Sequence, residues 1–206
     1  MSISKHRMEA LVDGVFAIAM TILVLEVKVP DLADPSSGSE LLQALRHQLY
    51  VIVAYFISFG MLGMFWVWHH RQAHKVREID GVMVMCSLVF LSLICFFPFA
   101  AALFGRYMMN GNLVALLIYL PLVGLILMIQ ALYFYLAVRR GLILAEVPQS
   151  EIASAHKHNL LSCSAFVLSC VPPALTAGIG AGIACVLAAA LLFWGARKAP
   201  AMRAVH

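Results

Sequence analysis

Residues 7–27 read Arg-Met-Glu-Ala-Leu-Val-Asp-Gly-Val-Phe-Ala-Ile-Ala-Met-Thr-Ile-Leu-Val-Leu-Glu-Val. From Ala10 to Leu25 the one formal charge is Asp13. An apolar stretch of this length reads as a helix that crosses a bilayer. A carboxylate turned toward lipid is costly, so Asp13 predicts a partner, a water-filled cavity or a task. The run has an acidic residue inside it and no small-residue cleavage site after a short core. It is therefore expected to be retained and not removed as a signal peptide.

The rest of the chain has the same character. Of its 206 residues, 63% are hydrophobic and 12% charged, about half the charged share of a soluble domain. The apolar residues come in long runs near 10–27, 49–68, 81–104, 113–138, 160–177 and 179–196. The expected fold class is an all-α membrane protein with six transmembrane helices, as a single domain over 1–206. The alternating segments of a membrane β-barrel are missing. The fifth and sixth runs, parted near Gly178, predict a tight hairpin, and Pro172 and Pro173 predict a kink or early end to the fifth helix. Gly178, Gly180 and Gly182 fit close packing or the turn itself.

Charge orients these spans. With a cytoplasmic N-terminus and six crossings, 11 of the 14 Lys and Arg fall on the inner side, and Lys28, Arg46 and Arg106 on the other. The positive-inside rule then predicts that both termini are cytoplasmic. The net charge of +4, with Arg139 and Arg140, suits anionic lipid and not nucleic acid. The five cysteines lie in apolar runs without a Cys-x-x-Cys pair and read as packing residues. Matched halves, expected of a duplicated transporter, are not evident.

On a 3.6-residue period Ile18, Ile22 and Leu25 form one stripe of the first helix, with Thr21 beside them and Ala17 on the flank. Such a stripe is equally what packing against a neighbouring helix needs. Asp13 lies about 140° from it and is expected to face protein near the inner end. Arg7 is at the wrong spacing to pair with it on one face. Trp66 and His69, at the inner end of the second run, lie at the same depth. An Arg7–Asp13–His69–Trp66 cluster would satisfy the carboxylate, although Trp66 and Trp68 also suit an ordinary aromatic belt. His70 and His74 are four residues apart, a possible zinc face or simply part of a basic juxtamembrane segment. Glu26 would either draw cations to the outer mouth or mark the helix end. Gln130 reads as an interhelical hydrogen-bonding group.

Residues 7–26 resemble the first-helix signature of the transmembrane protein 175 family of lysosomal and bacterial potassium channels. That signature runs from an arginine through Phe-Ser-Asp into an apolar pattern close to V-F-A-I-A-x-T-L-L-V-L-E. Here Arg7, Asp13 and the run from Val15 to Glu26 match, while Leu11 and Val12 stand where the family has Phe and Ser. Trp66-Val67-Trp68-His69-His70 resembles the family's Trp-x-x-His-His ending, and Phe96-Phe97-Pro98-Phe99 a third-helix match.

The resemblance implies a homotetramer whose first helices line a central pore and conduct potassium passively, without a Thr-Val-Gly-Tyr-Gly filter. It implies Ile18 as the main constriction, Ile22 and Leu25 above it, and Ala17 and Thr21 as groups that meet the ion. Other monovalent cations and protons could leak. The implied setting is the bacterial plasma membrane, with no cofactor, bound metal or enzymatic activity. The rival expectation is a small proton-coupled secondary transporter that uses Asp13.

Overall fold

The computed structural model of the chain describes residues 4–107 and 112–175, with side chains as far as residue 164. Five helices follow one another: α1 (Lys5–Ile22), α2 (Gly38–Ala73), α3 (Gly81–Tyr107), α4 (Leu113–Arg139) and α5 (Gln149–Leu175). A 3-10 turn, Leu23–Glu26, prolongs α1. Four segments among the described residues are long and apolar enough to cross a membrane: α1 with its 3-10 turn, α2, α3 and α4. Among the described residues the only extended pairing is an isolated bridge between Val76 and Ile143. The run at 179–196 and the glycines at 178, 180 and 182 lie outside the described residues.

Three boundaries differ from expectation. The second helix begins at Gly38, eleven residues before its apolar run, because the Ser37 side chain accepts from the Glu40 backbone N–H and caps it. Its 36 residues span about 54 Å, well beyond the roughly 30 Å hydrocarbon core. Gly105, near the end of α3, lies against Val51 and Ala54, so residues 38–50 of α2 project past that end. The fifth helix begins at Gln149, eleven residues before its apolar run. Its backbone also stays helical through Pro172 and Pro173 to Leu175, so the early stop is absent.

The core lies where α1, α2, α3 and α4 meet. Phe16 and Leu23 of α1 and its extension pack with Met61, Leu62 and Phe65 of α2, Phe90, Ile94 and Phe97 of α3, and Tyr119 and Ile126 of α4. Close approach depends on small residues: a Cβ added at Gly105 would sit 3.0 Å from that of Ala54 and 3.3 Å from the Cα of Val51. Gln130 donates 2.8 Å to the Phe65 carbonyl and so ties α4 to α2 across the bundle. The Ser58 and Tyr119 hydroxyls meet at 3.2 Å.

Polar contacts gather one end of the bundle together. Lys5 Nζ donates 2.6 Å to the Val76 carbonyl. Arg77 N–H donates to Leu142 and Leu144 N–H to Lys75, at 2.7 and 2.9 Å. Lys75 meets Glu151 at 3.2 Å, and Arg140 pairs with Asp80. The start of α1, the ends of α2 and α4 and the starts of α3 and α5 therefore share one side. At the other end, Arg106 of α3 donates 2.8 Å to Glu26 in the 3-10 turn. That pair is 80 residues apart and left no trace in the sequence beyond two charges of opposite sign on one side.

Candidate functional site

The site is α1, whose two faces have different surroundings. Met8, Val12, Phe16 and Ala19, together with Leu23 just beyond, are buried. They recur at steps of three and four, which keeps them on one face of an α-helix. The other face carries Leu11, Gly14, Ala17, Ile18, Thr21, Ile22 and Leu25, all exposed in the single chain. Ile18 is 60% exposed, Ile22 43% and Leu25 70%. The stripe read from the sequence is thus left uncovered by the described helices of the chain.

Thr21 lies on that face. Its hydroxyl donates 2.8 Å to the Ile18 carbonyl, one turn back. This bond uses the proton and leaves the oxygen lone pairs facing outward. A hydroxyl engaged in this way can accept a cation but has no proton to offer an anion. Ala17, small and exposed, sits one residue before Ile18.

Trp66 Nε1 donates 2.8 Å to Asp13 Oδ1. The carboxylate thus has a partner, but it sits at the rim of the packed face and stays exposed, where the helical angle had placed it facing protein. The His69 ring is buried, stacked on Phe90 at 4.7 Å and tilted to Tyr133 at 5.2 Å. Its Nδ1 has no hydrogen-bond partner among the described residues. Asp13, Trp66 and His69 line one cavity of about 10 Å³ with Glu9, Val12, His70 and Ala73, room for roughly one water. Arg7 is exposed and stands apart from these contacts. Of the four residues weighed as a cluster, the structure brings three together and leaves out the arginine.

The sequence reading missed Arg106. Its bond to Glu26 fixes the 3-10 turn that prolongs α1 to α3 and gives the carboxylate a counter-ion. Among the described residues, no group of three or more His, Cys, Asp or Glu side chains is placed to hold a metal.

The chain is similar to known channel proteins. Residues 7–98 match the model of the family described as endosomal/lysosomal potassium channel TMEM175. A potassium channel of Streptomyces collinus is 37% identical over 133 residues, which are 63% of each chain. The endosomal/lysosomal proton channel TMEM175 of Gallus gallus is 33% identical over 110 residues, 51% of this chain and 22% of that protein. The chain thus spans less than two thirds of the length of these curated relatives. A crystal structure of a lysosomal potassium-selective channel TMEM175 homolog from Chamaesiphon minutus superposes with a TM-score of 0.78 at 25% identity, over 96% of this chain and 98% of that one. The chain is a multi-pass membrane protein with the fold of that channel.

Proposed function

From the match of residues 7–98 to the TMEM175 family we propose that the chain is a potassium-selective cation channel. Four copies, each with six transmembrane helices, surround a central pore lined by α1 in the bacterial plasma membrane, and both termini are cytoplasmic. The observation that carries this reading is the uncovered face of α1, where Ile18, Ile22 and Leu25 stand exposed with Thr21 among them.

The face is apolar, yet it belongs to a helix whose other side is fixed in the core. Four such faces turned toward one axis form rings of branched side chains. A ring of isoleucines at position 18 closes a narrow pore by excluding water. When the ring widens, the ion passes with part of its water shell. The Thr21 hydroxyls and nearby backbone carbonyls replace the rest. Such a passage favours the cation that sheds water more readily, hence potassium over sodium. The stripe carries no basic residue, so it offers an anion nothing. The relatives named as potassium and as proton channels support monovalent cations as the cargo and allow a proton leak.

Proteoliposomes test the proposal. Purified protein is loaded with potassium inside and sodium outside, and the membrane potential is followed with a dye. The expected result is an inside-negative potential with no imposed proton gradient, and altered potassium-over-sodium selectivity in Ile18→Asn. Flux only under an applied proton gradient overturns the channel and leaves a proton-coupled transporter built on Asp13.

A further inference from the structure

Two histidines at the inner end of α2 play no part in this reading. His70 and His74 lie one turn apart on the helix, and their Nε2 atoms face each other at 2.9 Å. The rings stand at 86° to one another, with centroids 4.3 Å apart. His74 is exposed and His70 half-buried, so the pair is open to solvent. Lys75 alongside is paired with Glu151. His70 also stacks on Trp66 at 5.4 Å, and Trp66 holds Asp13 of α1.

We propose that His70 and His74 form a two-nitrogen site for a divalent transition-metal ion, with preference for copper(II) and nickel(II) over zinc. The nitrogen spacing carries the preference. Two metal–nitrogen bonds of about 2.0–2.1 Å that meet at a right angle put their nitrogens about 2.9 Å apart, whereas a tetrahedral angle puts them about 3.3 Å apart. The right angle is the cis arrangement of square-planar and tetragonal copper(II) and nickel(II). The present bond holds one proton between the two Nε2 atoms. On metal binding that proton leaves Nε2, the same ring takes a proton at Nδ1, and both rings stay neutral. The two Nε2 lone pairs then converge on the ion. Among the described residues no third side chain joins them, so water completes the shell.

The proposal is tested on protein purified without a histidine tag, in detergent micelles, with copper(II), nickel(II) and zinc chlorides. Calorimetry gives stoichiometry and affinity, and tryptophan emission reports an ion beside Trp66. The expected result is one ion per chain, bound in the order copper, nickel, zinc. Copper quenching should be reduced in Trp66→Phe while calorimetric binding persists. His74→Ala, an exposed change that leaves the Trp66 stack in place, should weaken copper at least tenfold. The copper spectrum of the wild type should show coupling to two imidazole nitrogens. Unchanged copper affinity in His74→Ala, or coupling to fewer than two nitrogens in the wild type, would overturn the site.

Discussion

The two faces of α1 are built from nearly the same side chains and have opposite surroundings. Val12, Phe16, Ala19 and Leu23 sit in the core, while Leu11, Ile18, Ile22 and Leu25 stand uncovered. Hydrophobicity does not separate them. In water such an exposed face would be a liability, but in a membrane lipid covers apolar surface as readily as protein does. What separates the faces is shape. The buried one carries an aromatic ring, Phe16, set 5.8 Å from Phe90. The uncovered one carries small and branched residues with a single hydroxyl.

Substitutions sharpen that contrast, and the largest effect is expected on the buried face. Phe16→Ala removes a ring that is 1% exposed and should cost about 3 kcal/mol or more. It would appear as a large fall in the unfolding midpoint in detergent. A loss as small as that of a surface change would mean that α1 is not anchored there.

Between the faces lies Asp13. Asp13→Asn removes the charge from a hydrogen bond with Trp66 and should cost about 1 kcal/mol, with Trp66→Phe costing a similar amount. The double variant should lose less than the two single losses combined. Additive losses would show that the two side chains act separately.

A similar size is expected at Asp80, away from α1. It caps α3 through the Met83 N–H and pairs with Arg140. Hydrogen bonding from Met83, aided by Arg140, holds its carboxyl below the usual carboxylate range. A lowered folded-state pKa adds stability above the unfolded value and loses it as pH falls through the folded value. Asp80→Ala should therefore cost about 1 kcal/mol at neutral pH, and the gap from wild type should close in acid. A gap constant down to pH 2 would contradict this.

The smallest stability effect is expected on the uncovered face, where Ile18→Ala should change the unfolding free energy by no more than about 0.5 kcal/mol. The same change should alter ion flux. Lost stability with normal flux would reverse the roles assigned to the faces.

Part of this was readable in advance. A 3.6-residue period in 10–27 separated Ile18, Ile22 and Leu25 from the rest of the first helix, and the depth of Trp66 placed it beside Asp13. The early start of α2 also had a signal in Ser37 and Glu40, a polar cap that lies outside the apolar run at 49–68. Other features had none. Nothing local joins Arg106 to Glu26, because tertiary packing brings them together. Nothing in the period of an amphipathic stripe states whether its partner is a helix of the same chain, lipid or another copy. The family resemblance supplied that expectation, and the uncovered face gives it physical support.

The most direct test of the pore assignment is cysteine scanning of positions 16–25 in proteoliposomes, with potassium flux measured before and after a water-soluble thiol reagent. Wild type, with its own cysteines, serves as the control. Block should recur at 18, 22 and 25 and be absent at 16, 19 and 23. Block at the second set and none at the first would contradict the claim that the uncovered face of α1 lines the path of the ion.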